Sequence, residues 1–286
     1  DRLFAWMLRH LPFVRKDFAR IRSDEYPIRL WTVAVFLFGA LPLLRKRGAG
    51  RLLIGDEFDT TVRARHRGIT HYAGLYDQSR YFDNMVTRYF RRKDWGVCQF
   101  SVLRPLSELL VEKVLVERYP ELLSHQVSCH AAHIDGERVR PCGACEKCRR
   151  IVGMLKALDA DPTRCGYSEG QVSSCLADLA KRGVHQEPIG SEQLAYMLAA
   201  RGLIKTPGPD FKARPHPEAL SLRFHPTTSP AGCVPLDLRE SVYRLFLEHA
   251  DGALIKRGRT WTTYDPFSEE ASSGQQQARR RESIRE

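Results

Sequence analysis

Residues 30–55 read LWTVAVFLFGALPLLRKRGAGRLLIG, and this stretch sets the fold class. Leu30 to Leu44 is apolar throughout and is bounded by Arg29 and Arg45. A membrane-spanning helix needs about 20 apolar residues, so a run this short reads as a buried helix. Pro42 and the basic Arg45-Lys46-Arg47 mark its stop. Lys46 to Gly50 supplies a turn, and Arg51 to Gly55 a short apolar strand that ends in glycine. Helix, glycine turn and strand make half of a βαβ unit. Such strands belong to parallel sheets covered on both faces, where ligands collect beyond the carboxyl ends of the strands. Gly55 to Thr61 occupies that place.

Working outward, Val62 to Tyr76 reads as a long polar loop carrying Arg63, Arg65, Arg67, His66 and His71, a length usually tied to function. Asp77 to Phe90 has helical spacing, with Phe82, Met85, Val86 and Tyr89 on one side. Val97 to Leu103 reads as a second buried strand. Ser107 to Arg118 is again helical, with Ser107 as N-cap. This alternation predicts an α/β domain over residues 1–155. Beyond it the character changes. Short amphipathic helices over Ser168–Lys181, Ser191–Arg201 and Leu236–His249, a Pro-rich stretch from Thr206 to Pro235 and a hairpin turning at Gly258 predict an α+β accessory region over 156–267. Residues 268–286 hold too few apolar side chains to offset their ordering entropy and read as a disordered tail.

The whole chain of 286 residues is 43% hydrophobic and 28% charged, which excludes collagen-like, disordered and disulfide-dense classes. It shows neither a spanning segment nor the continuous core of a signal peptide, so a cytoplasmic protein without membrane attachment is expected. Residues 1–150 carry 27 Lys and Arg against 17 Asp and Glu, while the remainder is almost balanced. A basic first half points to an anionic ligand, from nucleotide to nucleic acid, or to a solvated cationic surface.

The sharpest chemical signal is Cys129 followed by Pro141-Cys142-Gly143-Ala144-Cys145-Glu146-Lys147-Cys148. Three cysteines at two-residue spacings, with a fourth twelve residues upstream, can close a tetrahedral site of four thiolates. A closed set of protein ligands is the structural kind of zinc site. The spacing also admits an iron–sulfur cluster, and His130 or His133 could replace one sulfur. Lys147, Arg149 and Arg150 would temper the negative charge of a tetrathiolate centre. Cys98, Cys165, Cys175 and Cys233 have no motif spacing and read as core or incidental thiols.

Ser128-Cys129-His130 together with Pro141 to Arg150 resembles the zinc motif of the 7-cyano-7-deazaguanine synthases, queuosine-pathway members of the PP-loop (N-type) ATP pyrophosphatases. Weaker similarities follow in order: Pro27-Ile28-Arg29, Ile54-Gly55 through Asp59, Tyr76 to Arg80, and Pro105-Leu106 before a helix. The resemblance covers about residues 25–155. It implies a Rossmann-like, adenine nucleotide alpha hydrolase-like parallel sheet with a structural Zn2+ on Cys129, Cys142, Cys145 and Cys148. It also implies ATP with Mg2+, and adenylation of a 7-deazaguanine-type carboxylate followed by attack of ammonia or an amine. Arg29, Gly55, Asp59 and Arg80 become candidate substrate or nucleotide contacts. Read without the resemblance, Arg29 and Asp59 cap local structure and Arg80 lies on a helix face.

The family's Ser-Gly-Gly-x-Asp-Ser loop, which cradles the ATP pyrophosphate, does not occur in these 286 residues. Leu30 and Gln78 stand where the family has Asn and Asp, and Val111 where it has Lys. The sheet is therefore expected to be N-terminally incomplete, with the ATP loop upstream of Asp1 or on a partner, and the chain to be inactive alone. Partners consistent with this reading are a small 7-deazaguanine-type substrate or a modified macromolecule, and a second copy in a homodimer. An alternative reading is a non-catalytic zinc-containing nucleic-acid-binding or assembly module, with Arg63, Arg65, Arg67, Arg88, Arg91, Arg92 and Lys93 as its phosphate-binding face.

Overall fold

The computed structural model describes residues 32–66, 68–72, 76–129, 131–184, 187–205 and 213–268. The chain forms two compact units, one of residues 1–56 and 60–100, the other of residues 57–59 and 101–286. The architecture is mixed α/β with small sheets.

In the smaller unit, helix α1 spans Thr32–Lys46 and strand β1 Arg51–Leu53. Leu37 and Leu41, one turn apart, enter a core with Val86, Phe90 and Val97, while Phe36 and Leu43 stay exposed. The apolar run is thus a one-sided helix rather than a fully buried one. Nor does Pro42 end it: the proline lies inside the helix on its exposed side, where a missing N–H costs least. The stop comes at Gly48, whose φ of +66° is the left-handed conformation glycine adopts cheaply. Residues 62–76 also depart from the expected loop. They form an antiparallel hairpin of β2 (Arg63–His66) and β3 (Ile69–Tyr72), turning at Gly68. Its strands carry polar residues on both faces, so the period-two apolar signal was missing.

Helix α2 runs Arg80–Arg92 with Ser79 as N-cap, accepting the Phe82 N–H. Its buried face is Asp83, Val86 and Phe90, which turns Met85 and Tyr89 outward, against expectation. The polar Asp83 is drawn inside because its carboxylate accepts from Gln99 Nε2 at 2.7 Å. Strand β4 (Cys98–Phe100) then pairs in parallel with β1, Arg51 opposite Cys98 and Leu53 opposite Phe100.

The larger unit begins with α3 (Glu108–Arg118), capped by Ser107 as expected. A hairpin of β5 (His133–Asp135) and β6 (Arg138–Arg140) precedes α4 (Glu146–Ala157), α5 (Glu169–Arg182) and α6 (Pro188–Ala200). Leu109, Cys148, Val152, Leu155, Leu179 and Leu194 share one core, which is continuous across residue 155. Gly153 permits that packing, since a Cβ there would meet Leu179 Cδ1 at 2.6 Å. A second core joins α3, α7 (Leu236–Leu247) and a three-stranded sheet of β7 (Leu222–Phe224), β8 (Ala253–Arg257) and β9 (Thr260–Thr263). The β8–β9 hairpin turns at Gly258, as the sequence predicts. Residues 269–286, the expected tail, lie outside the described residues. Among the described residues no helix is long and apolar enough to cross a membrane.

Two buried polar arrangements shape this unit. Arg223 on β7 is fully buried; its Nη2 donates to Asp59 Oδ1 at 2.8 Å and its Nη1 faces Glu187 Oε2 at 3.5 Å. Its guanidinium also lies over the Phe58 ring, 4.2 Å from the centroid. Glu112 on α3 accepts from Gln126 Nε2 at 2.7 Å, and burial pushes its pKa up to about 7.

Breaking a buried ion group by removing one partner strands the others. Arg223→Met should cost about 3–5 kcal/mol in denaturant unfolding. Glu187→Gln should cost less, because it keeps an acceptor of the same shape and leaves Arg223 its closer partner, Asp59 at 2.8 Å against 3.5 Å for Glu187. A folded-state pKa raised above the unfolded value means that the native form holds its proton longer. Stability supplied by Glu112 is therefore present below the unfolded value of 4.5 and falls as pH rises toward 7. Glu112→Gln keeps the contact with Gln126. It should match the wild type near pH 4.5 and exceed it by up to about 3 kcal/mol above pH 7, measured as the difference between paired unfolding curves.

Candidate metal centre

The four motif cysteines come together. Cys129 precedes the β5–β6 hairpin, Cys142 follows it, Cys145 is the N-cap of α4 and Cys148 lies in its first turn. The hairpin folds the chain back on itself, so a gap of twelve residues closes to contact distance. All four sulfurs lie within 4.8 Å of one another. Cys129 and Cys145 are 3.8 Å apart, Cys142 and Cys148 3.9 Å, and Cys145 and Cys148 3.5 Å. These are far longer than a disulfide bond of about 2.05 Å. Four sulfurs placed about 2.3 Å from one ion at tetrahedral angles stand about 3.8 Å apart. The cluster is consistent with a metal ion such as zinc.

Backbone amides point at the sulfurs. The N–H groups of Ala131 and Cys142 donate to Cys129 Sγ at 3.3 and 3.2 Å, and that of Cys145 donates to Cys142 Sγ at 3.4 Å. Gly143 makes this turn possible. Its φ is +70°, and a Cβ there would lie 2.4 Å from the Gln171 side chain. Gln171 closes a capping box with Ser168 at the start of α5 and donates through Nε2 to the Cys142 carbonyl at 3.3 Å. Helix α5 is thereby tied to the metal loop.

Metal-free, the four thiols are not equivalent. Burial raises Cys142, but the Ala144 and Cys145 amides outweigh it and leave the thiol at about 7. Burial pushes Cys148 well above the usual thiol range, opposed by the Tyr167 hydroxyl beside it. Cys129 is also raised by burial, against the amides of Cys142 and Ala131. A cation lowers all four at once, so metal binding must release protons. Of the three expected cationic neighbours, Arg150 is held by Glu108 at 3.2 Å.

Cys175 and Tyr167 are additions to the site that sequence spacing did not reveal. Cys175, buried on α5, donates to the Gly143 carbonyl at 3.2 Å, behind the cluster rather than in it. The capping-box pattern Ser168-x-x-Gln171 was the available signal for this second layer. His133 lies exposed on β5, and His130 lies outside the described residues.

The other sequence candidates are placed elsewhere. Asp59 is buried in a 3-10 turn, its Oδ2 accepting the Glu108 N–H at 3.0 Å and its Oδ1 facing Arg223. Gly55 is exposed two residues beyond β1, and Arg80 opens α2. Arg29 lies outside the described residues. The chain matches no protein-family model, no curated protein and no solved structure.

A single divalent ion per chain is expected by elemental mass spectrometry of the purified protein. Cys145→Ser and Cys148→Ser should each abolish that stoichiometry and lower the melting temperature. A strong chelator should do the same to the wild type, more readily at pH 5.5 than at pH 8 because protons compete for the sulfurs.

Proposed function

We propose that this chain is the zinc-bearing portion of an ATP-dependent ligase like the 7-cyano-7-deazaguanine synthases, acting on a 7-deazaguanine-type carboxylate. The observation that carries the reading is the four-sulfur cluster at the N-terminus of α4. Sulfurs 3.5–3.9 Å apart suit one tetrahedral ion, whereas a multi-iron cluster would spread its ligands more widely. Zinc here is structural: all four positions are filled by protein, leaving no open site for substrate or water. The parallel β1–β4 pair, a two-stranded sheet among the described residues, is the pairing that the expected parallel sheet requires at its core.

In this role the chain binds and orients the carboxylate, and adenylation converts a poor electrophile into one that ammonia or an amine can attack. The cationic charge of the first half serves an anionic substrate and ATP. The pyrophosphate cradle must then be contributed by a partner chain or by polypeptide outside residues 1–286.

Isothermal titration of the zinc-loaded chain with 7-carboxy-7-deazaguanine should show saturable binding that Arg80→Ala weakens at least tenfold. The chain alone should give no carboxylate-dependent exchange of pyrophosphate into ATP, and exchange should appear in the natively expressed assembly. Absence of both binding and exchange in that assembly would exclude the reading.

A further inference from the structure

In the smaller unit the acidic side chains face inward. Asp56, Asp77 and Asp83 are buried, and two of them have visible tasks. Asp77 Oδ2 accepts the N–H groups of Val33 and Ala34 at 2.8 and 3.2 Å, anchoring the start of α1. Asp83 accepts from Gln99. Among the described residues of this unit, Asp94 is the one exposed carboxylate, while Arg45, Arg63, Arg65, Arg91, Arg92 and Lys93 are all exposed. The exterior is cationic because its counter-charges are consumed inside.

Across that exterior runs a line of aromatic rings. Tyr81, Met85 and Tyr89 recur every four residues along α2, at 54%, 41% and 43% exposure. They form one stripe about 12 Å long. The stripe continues past the helix start: Tyr76 lies 6.0 Å from Tyr81 and 6.4 Å from Tyr72, and Arg63 stacks over Tyr72 at 5.2 Å. At the other end Lys93 sits 5.9 Å from the Tyr89 ring, and Tyr89 meets Trp95 at 5.9 Å with Arg45 over that indole. The helical period alone would bury Met85 and Tyr89. The fold spends that position on Asp83 and leaves Met85 and the Tyr89 ring about half exposed.

We propose that this face binds single-stranded nucleic acid, with bases stacking on Tyr81 and Tyr89 and phosphates held by the cations at both ends. Exposed rings at regular spacing give sequence-tolerant stacking, worth about 1–3 kcal/mol per base, and interleaved cations track the backbone. A duplex hides its base faces and could use only the charges. A membrane surface is the competing occupant, since tyrosine also suits a lipid interface, and vesicle binding is therefore an arm of the test. The proposal uses none of the four metal-ligand cysteines, and its variants leave Arg80, on which the ligase reading is tested, in place.

Fluorescence anisotropy with labelled dT20, the matching dA20·dT20 duplex, and sedimentation with phosphatidylserine vesicles test it. The single strand should bind best, and affinity should fall about 20-fold from 50 to 200 mM salt if about three phosphates are neutralised. Tyr81→Ala with Tyr89→Ala should weaken binding at least tenfold and leave the salt slope unchanged. Tyr81→Phe with Tyr89→Phe should bind like the wild type, which separates lost stacking from misfolding. Arg91→Glu with Arg92→Glu should flatten the slope. Equal affinity for the duplex, indifference to the alanine pair, vesicle binding lost in the same variants, or no binding at 50 mM salt would each overturn the proposal.

Discussion

Four sulfurs held within 4.8 Å of one another are the constraint on which the larger unit turns. Four neutral thiols at 3.5–3.9 Å are in ordinary contact, but four thiolates repel. The three amides aimed at two of the sulfurs suit thiolates, which accept such hydrogen bonds. A divalent cation removes the conflict, because it makes ionisation of all four favourable and fixes their separation. The consequence reaches past the site. Cys145 and Cys148 are also core residues, packed with Ile151, Val152 and Leu155, so α4 starts at the four-sulfur cluster and continues into the hydrophobic interior. Helix α5 joins through Gln171 and Cys175, so the sulfur cluster and the hydrophobic packing bear on the same segment.

The ion group around Arg223 plays a comparable part with ordinary charges. Residues 57–59 follow β1 closely in sequence yet belong to the larger unit. Asp59 explains this: one carboxylate oxygen takes the N–H at the start of α3 and the other takes the Arg223 guanidinium. The Phe58 N–H donates to Leu106 O at 2.6 Å, and Arg223 covers the Phe58 ring. Replacing such a group with apolar side chains often costs little, whereas removing one member costs much. The arrangement therefore specifies which turn packs here more than it adds stability. It also means that Asp59 is engaged by protein groups on both oxygens.

What could be read from sequence divides along physical lines. The cysteine cluster was legible because ligand spacing is a short-range property of the chain. Ser107 and its helix were legible because a cap and an apolar stripe are local too. The β2–β3 hairpin was not, since Arg63 and Arg65 on its strands erase the alternation that marks a half-buried strand. The face of α2 was misjudged for a related reason. Periodicity counts apolar residues, but Asp83 goes inside to meet Gln99, sixteen residues away, and rotates the buried stripe by about one position. Cys175 had no spacing signal at all, because its proximity to Gly143 depends on how α5 packs.

The misjudged helix face is the informative failure. A surface that leaves Tyr81, Met85 and Tyr89 about half exposed forgoes part of the about 1.5–3 kcal/mol that fully burying such a side chain contributes. Burying Asp83 instead adds a desolvation cost that its hydrogen bonding, the contact with Gln99 included, has to offset. Both choices fall on one helix, whose buried stripe is completed by Val86 and Phe90. Sequences depart from local consistency chiefly where function demands it. The same unit hides its carboxylates and displays its cations. Both departures give the surface one character: rings that can stack beside charges that can hold phosphates.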